Sequence, residues 1–134
     1  MWNLRTLLLL GVAVTCLAQT KSPRKLISSL DGKDLYVAYC ASCHGMDAKG
    51  KGPVAAVLKV EVPNLTLIQK RRGDKFPIAD LEKLIMGEAD LRAAHGSREM
   101  PVWGPVFRRV EKDQDMGLVR VRRLVEYLKT LQTR

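Results

Sequence analysis

The stretch YCASCHG, residues 39–45, decides how this chain is interpreted. It holds two of the three cysteines and one of the two histidines in a sequence of 134 residues. Cys40 and Cys43 are separated by two residues, and His44 follows directly. Because each residue of a helix turns by about 100°, these three side chains would share one face of a helix. Such a face can hold a metal, a pair of redox thiols or a covalently attached cofactor.

Several kinds of chemistry use paired cysteines of this spacing. A disulfide between Cys40 and Cys43 would close a very short loop and stabilise the fold little. A zinc site would need four ligands, which these cysteines, His44 and His95 supply in number, but a second paired motif is absent from the sequence. A thioredoxin-like redox pair would follow a strand, and no strand is predicted before this one.

A further kind of chemistry is covalent attachment of haem c, which the pattern C-x-x-C-H signals. Each cysteine would form a thioether to a haem vinyl group, and the imidazole would reach the iron from the same side. We therefore predict one haem c, bound covalently through Cys40 and Cys43, with His44 as an iron ligand.

The first eighteen residues have the features of a secretory signal peptide. Arg5 precedes an apolar run at residues 7–17, and cleavage after Ala18 would leave small residues at positions −3 and −1. The run has about eleven residues, well short of the roughly twenty that span a bilayer. We predict export to the periplasm and no transmembrane span in the mature chain. Lipid attachment at Cys16 is the minor alternative, because the preceding Thr15 suits a lipoprotein cleavage site poorly.

The chain is basic, with 23 Lys and Arg against 14 Asp and Glu and a formal net charge of +9 at pH 7. The basic residues are scattered, without interleaved aromatic residues or a DNA-reading motif, so nucleic-acid binding is not expected. A positive surface of this kind would steer the protein toward an acidic protein partner or an anionic membrane. We divide the chain into a signal peptide at 1–18, a flexible basic leader at 19–29 and a single domain at 30–134.

The spacing of apolar residues predicts helices and no strand. Asp31 has the character of an N-cap, so one helix should run from it into YCASCHG. Residues 78–86 and 118–131 carry apolar side chains at helical spacing. Residues 88–112 are expected to be irregular, with at most a short helix near Leu91. The segment MPVWGP within them, residues 100–105, is too apolar and too rigid for disorder and should pack against another part of the molecule.

Five segments of the sequence stand out together. They are DGKDLYVAYCASCHG, DAKGKGPVAA, PNL, HGSREMPVWG and LVEYLKTLQ. They resemble the class I c-type cytochromes of bacteria, and the resemblance covers nearly all of the chain after residue 18. It implies an all-α class I cytochrome c fold, in which four or five helices wrap around one covalently attached haem and the N- and C-terminal helices cross. The family's contacts at this crossing would fall on Gly32 and Tyr36 from one helix and on Leu124 and Tyr127 from the other.

The resemblance also implies which residues surround the haem. The family's distal ligand is a methionine in a loop, often before a proline, and Met100 stands in such a place before Pro101. The iron ligands would then be His44 and Met100, with His95 as the rival at the sixth position. The carbonyl of Pro53 would accept a hydrogen bond from the ring of His44. The side chains expected against the haem or its propionates are Trp103, Arg71, Arg72 and Arg98.

An iron with two protein ligands cannot readily bind a substrate, but it can pass one electron through the exposed haem edge. We therefore expect an exported electron carrier, not an enzyme, that exchanges single electrons with redox proteins bearing an acidic docking patch. Two alternatives stay open. One is a peroxidase-like or gas-sensing haem protein with an open or labile sixth position. The other is a haem subunit of a larger dehydrogenase or oxidase complex.

Overall fold

The computed structural model describes residues 26–88, 100–110 and 114–133. The predicted signal peptide, most of the leader, His95 and Arg98 lie outside the described residues. Within the described ranges the α-helices are α1 (Gly32–Tyr39), α2 (Ala41–His44), α3 (Ile68–Arg71), α4 (Ile78–Met86), α5 (Gly104–Val110) and α6 (Gln114–Thr130), and the 3₁₀-helices are Ala55–Val57 and Leu65–Leu67. None of the helices in these ranges has the length and apolar character needed to cross a membrane.

The prediction of an all-α fold is confirmed, since the described residues form six α-helices and no strand. The sequence predicts four or five helices, and the structure divides the first of these at Cys40, whose φ of −114° separates α1 from α2. The prediction of irregular structure at residues 88–112 is wrong for α5. Pro105 lies in the first turn of α5, where backbone amides have no partner within the helix, and Phe107 is fully buried.

Helix α1 begins where Asp31 caps it. The Oδ1 atom of Asp31 accepts hydrogen bonds of 2.9 and 3.0 Å from the amides of residues 33–34, which have no partner inside the helix. The chain then continues almost without interruption into α2. The Cys40 amide donates to the Tyr36 carbonyl at 2.8 Å, and the His44 amide donates to the Cys40 carbonyl at 2.9 Å. The C-x-x-C-H motif therefore occupies one short helical turn.

Helix α6 forms one side of the core, and α1, α4 and α5 pack against it. Four of its apolar residues at helical spacing are buried: Val121, Leu124, Val125 and Leu128. Where α1 crosses α6, the ring centroids of Tyr36 and Tyr127 lie 5.6 Å apart. The fully buried Tyr36 donates from its hydroxyl to the Gly45 carbonyl at 2.6 Å, just past α2. The expected crossing of the N- and C-terminal helices is present, and it fixes the position of α2.

Gly32 permits the close approach of α1 and α6. A Cβ atom built on Gly32 would overlap the Arg123 carbonyl oxygen and lie 2.7 Å from the Cβ atom of Tyr127. We expect Gly32→Val to force the helices apart and to lower the free energy of unfolding by about 1–3 kcal/mol, the range typical of overpacking. Urea unfolding of the cofactor-loaded protein, followed by circular dichroism, measures this change. Lys33→Val is the matched control, because Lys33 is exposed in the same helical turn. Equal losses in the two variants would contradict the tight crossing.

Candidate cofactor site

A cavity of about 690 Å³ opens between α2, α4 and α6. Its volume falls within the roughly 300–1,000 Å³ that is usual for cofactor and small-molecule sites. The apolar part of its lining comes from Leu65, Ile68, Leu81, Leu84, Leu124 and Leu128. Among the described residues of this lining, the polar and charged side chains belong to the C-x-x-C-H motif, to the end of α3 and to the start of α4. The cavity therefore suits a large, mainly apolar group that carries a few polar substituents.

Cys40 lines this cavity, and Cys43 lies about one turn further along and is half-buried. The two are not joined in a disulfide. Burial, with a smaller contribution from the charge of Cys43, raises the pKa of the Cys40 thiol to about 12. The attacking cysteine of a redox pair is activated by a lowered pKa, which the buried Cys40 thiol does not have. The thioredoxin-like alternative therefore loses support.

His44 shares the cavity, and the backbone holds its ring. The Nδ1 atom of His44 lies 3.3 Å from the carbonyl oxygen of Pro63, which is 19 residues further along the chain. Since a carbonyl oxygen only accepts, Nδ1 carries the hydrogen and Nε2 keeps its lone pair for a metal. Burial lowers the pKa of His44, although the Pro63 hydrogen bond opposes this shift, and the lowered pKa favours the neutral ring. A neutral imidazole with one nitrogen tied to the backbone is the form that binds a metal.

The prediction that Pro53 supplies this carbonyl is wrong. The backbone on both sides of Pro53 is bound to α2: the Gly52 amide donates to the Cys43 carbonyl at 3.0 Å, and the Val54 amide donates to the Ser42 carbonyl at 2.9 Å. Pro53 is thereby fixed against α2, and the carbonyl that reaches the ring belongs to the PNL segment instead. That segment is one of the five on which the resemblance rests, so the sequence did contain the signal.

The segment that follows Pro63 is anchored from several sides. Asn64 caps the 3₁₀ turn through its side chain. Gln132, beyond the end of α6, donates from Nε2 to the Leu65 carbonyl at 2.9 Å and accepts on Oε1 from the Gln69 amide at 2.9 Å. Sequence reasoning missed Gln132, because its partners are 63 and 67 residues away and no local pattern marks it. These bonds join the end of α6 to the wall of the cavity.

Met100 lies on the wall of the same cavity as His44. Its side chain is 40 % exposed. By contrast, Met86 is buried in the core and Met46 is 69 % exposed. Among the residues that the structure describes, Met100 is the methionine that lines the cavity. The rival ligand His95 lies in a part of the chain outside the described ranges.

Arg71 and Arg72 border the cavity at the end of α3, and Asp80 lies on the same wall. The Arg71 guanidinium donates from Nη2 to the Asn64 carbonyl at 2.8 Å. Trp103 also lines the cavity and is half-buried. Cations at this edge suit the anionic propionates of a haem. The third arginine that the sequence indicates, Arg98, lies outside the described residues.

The residues present fit haem c. The aliphatic walls suit the macrocycle, the two thiols lie within one helical turn, and a neutral imidazole and a thioether share the cavity with two cations. When bound, haem c supplies a one-electron Fe(III)/Fe(II) couple. Cys40 and Cys43 would hold it, and His44 and Met100 are the candidate ligands of its iron.

Comparison with known proteins places the chain in a family. Residues 29–128 match the family described as cytochrome c oxidase, cbb3-type, subunit III. The chain therefore belongs to this family of c-type cytochrome domains. The prediction of a class I c-type cytochrome is confirmed, and the family makes it a haem c protein of electron transfer.

One curated relative shares a shorter stretch. Cytochrome c-554(547) of Halothiobacillus neapolitanus is 51 % identical over 45 residues, which cover 32 % of this chain and 50 % of that protein. The chain thus spans about half the length of the relative it matches. No solved structure matches the chain.

Proposed function

We propose that the protein is an exported, periplasmic monohaem cytochrome that carries single electrons between redox proteins. One haem c would be bound covalently through Cys40 and Cys43, and its iron would be ligated by His44 and Met100. The observation that carries the proposal is that Met100 lines the same apolar cavity as Cys40 and His44 although it lies more than fifty residues further along the chain. Electron exchange would take place at the exposed haem edge, and the protein would act as a carrier without catalysis of its own.

The residues of the cavity would set the properties of the couple. A thioether ligand such as Met100 favours Fe(II) and raises the potential, whereas a second imidazole would lower it. The hydrogen bond from His44 to Pro63 fixes the tautomer and the orientation of the ring. The apolar walls keep water away from the iron, which limits the rearrangement that each electron transfer requires.

The loop at residues 46–61 is the surface that we propose for docking. It is bound to α2 through the amides of Gly52 and Val54. Its exposed large apolar side chains are Met46, Val54, Val57 and Val60. Its exposed charged side chains are Lys49, Lys51, Lys59, Asp47 and Glu61. A redox partner with an apolar centre and an acidic rim would complement this surface, and such encounters are small and short-lived.

A second candidate function is a haem subunit of a larger complex. The family description names a subunit of an oxidase, and the exposed apolar side chains of the docking loop would suit a lasting interface. The mass of the native protein separates the two functions, because a carrier would elute as a single chain and a subunit would elute with its partners.

Small inorganic oxidants test the carrier function and its docking loop together. The wild-type protein should titrate reversibly with one electron per haem.

Oxidation of the reduced protein by the anion ferricyanide should slow as ionic strength rises, whereas oxidation by a cationic cobalt(III) phenanthroline complex should quicken. Replacement of both Lys49 and Lys51 by Glu should slow the ferricyanide reaction about tenfold at low salt, the lower end of electrostatic steering. Lys129→Glu, at an exposed position of α6, is the control. Irreversible titration would contradict the carrier function, and equal slowing by the control would contradict the docking loop.

A further inference from the structure

We propose that Arg71 is a positioning residue for the proximal ligand. It would hold the backbone that in turn holds the ring of His44. The inference rests on the proposed function, because it concerns the haem-loaded protein with His44 bound to iron. It assigns to Arg71 a task other than balancing the charge of the cofactor.

The geometry links Arg71 to His44 through two consecutive carbonyl groups. The carbonyl of Pro63 accepts the hydrogen bond from Nδ1 of His44, at 3.3 Å. The next carbonyl along the chain, that of Asn64, accepts the hydrogen bond from Nη2 of Arg71, at 2.8 Å. The two accepting carbonyls belong to adjacent residues, so a movement of the Asn64 backbone would shift the Pro63 carbonyl directly.

Other contacts also fix this segment, and Arg71 is the side chain that holds the carbonyl oxygen of Asn64. The side-chain oxygen of Asn64 accepts from the amide and the hydroxyl of Thr66 at 2.9 and 2.7 Å. The Leu65 amide donates to the Ala48 carbonyl at 2.8 Å. The Leu65 amide belongs to the same peptide group as the Asn64 carbonyl, so the Ala48 contact holds that group from its N–H side, whereas Arg71 holds it from its carbonyl oxygen. Because a charged donor makes a stronger hydrogen bond than a neutral one, the Arg71 contact is suited to hold an exposed carbonyl.

The neighbouring residue supplies a matched comparison. Lys70 is an exposed cation in the same turn of α3, next to Arg71 in sequence, and it is not part of the cavity wall. Removing the charge of Lys70 changes the local electrostatics without touching Asn64. A difference between variants at the two positions therefore reports the hydrogen bond from Arg71 to the Asn64 carbonyl.

The experiment measures how fast the Nδ1 proton of His44 exchanges with water in the reduced haem protein, by ¹⁵N NMR. We expect Arg71→Leu to speed this exchange about tenfold or more, Lys70→Leu to change it by less than about twofold, and Arg71→Lys to restore most of the protection. The amide of Leu124, buried in α6, should exchange equally in all of them, since a merely structural role of Arg71 would speed both protons. If Arg71→Leu fails to accumulate with haem, Arg71→Gln takes its place.

The outcomes separate this inference from the proposed function. Wild-type protein that carries no covalent haem, judged by its mass, would overturn the proposed function and this inference with it. Haem present in every variant, with the His44 proton exchanging at the same rate in Arg71→Leu and Lys70→Leu, would overturn only the role of Arg71. Faster exchange at His44 and Leu124 alike would also overturn it, because Arg71 would then act on the whole fold.

Discussion

Replacement of both Cys40 and Cys43 by alanine should give a chain that carries no covalent haem and is largely unfolded. The cavity has a volume of about 690 Å³. Empty core cavities cost about 24 cal/mol per Å³, which would amount to about 17 kcal/mol here. The cavity opens to solvent, so this figure is an upper bound. Even a third of it is comparable with the whole stability of a small domain, about 5–15 kcal/mol. The bound cofactor is therefore expected to complete the core.

Mass spectrometry after acid–acetone extraction and circular dichroism measure the two effects. The wild-type chain should keep one haem after extraction, and the double variant should keep none and should lose most of its helical signal. Cys43→Ala alone should still hold haem through the thioether at Cys40. Ser42→Ala, which lies between the two cysteines and is exposed, is the control and should match the wild type. A double variant that folds cooperatively without haem would contradict the view that the cofactor completes the core.

The helices of this fold were predictable where local signals act alone. Residues 78–86 show helical spacing and precede Gly87, and the structure has α4 at Ile78–Met86 with Gly87 in the left-handed region at φ 77°. Asp31 was recognised as a cap from its residue type and position, and its side chain does cap α1. Helical spacing and helix caps depend on neighbours in sequence, so they can be predicted without knowledge of the tertiary structure.

The errors arise where contacts between distant residues decide the outcome. Helix α5 was missed because Gly104 and Pro105 indicate a break locally, although burial of Phe107 against the core stabilises a helix there. The partner of His44 was misassigned because the resemblance was applied to the proline of GKGP, Pro53, whereas in the folded chain the proline of PNL, Pro63, reaches the ring. Gln132 was also missed for this reason, since its hydrogen bonds to the cavity wall span more than sixty residues.

The residues that would bind the cofactor could be predicted from the sequence, but the aliphatic residues that line the cavity could not. The C-x-x-C-H motif indicated Cys40, Cys43 and His44 because the reaction that attaches haem requires that spacing. Met100 followed only from the resemblance, and the structure adds that it lines the cavity. The aliphatic lining comes from three separate parts of the chain, and no periodicity within one helix distinguishes a side chain that faces a cofactor from one that faces the core.

Met100→Ala should convert the protein from a carrier to one with an open iron. If the Met100 sulfur binds the iron, the oxidised wild type should show the weak long-wavelength absorption band of Fe(III)–thioether ligation. The reduced wild type should resist carbon monoxide, because a strong ligand already fills the site. The variant should lose the band, bind carbon monoxide fully and gain peroxidase activity. Its potential should fall by on the order of 0.1 V, since a ligand that favours Fe(II) is lost and axial ligands set potentials over roughly 0.8 V.

The controls for Met100 lie at the other methionines of the described chain. Met46→Ala, on the exposed surface, and Met86→Ala, in the core, should leave the band and the resistance to carbon monoxide unchanged, although Met86→Ala should cost about 2–5 kcal/mol of stability. Loss of Met100 from the iron would have a physical basis. Met100 is 40 % exposed, and a thioether that water reaches can be displaced. Wild-type protein that binds carbon monoxide quickly, with a spectrum that Met100→Ala does not alter, would contradict ligation by Met100. The peroxidase-like or gas-sensing function would then be favoured, and the spectrum of His95→Ala would decide whether an imidazole occupies the sixth position instead.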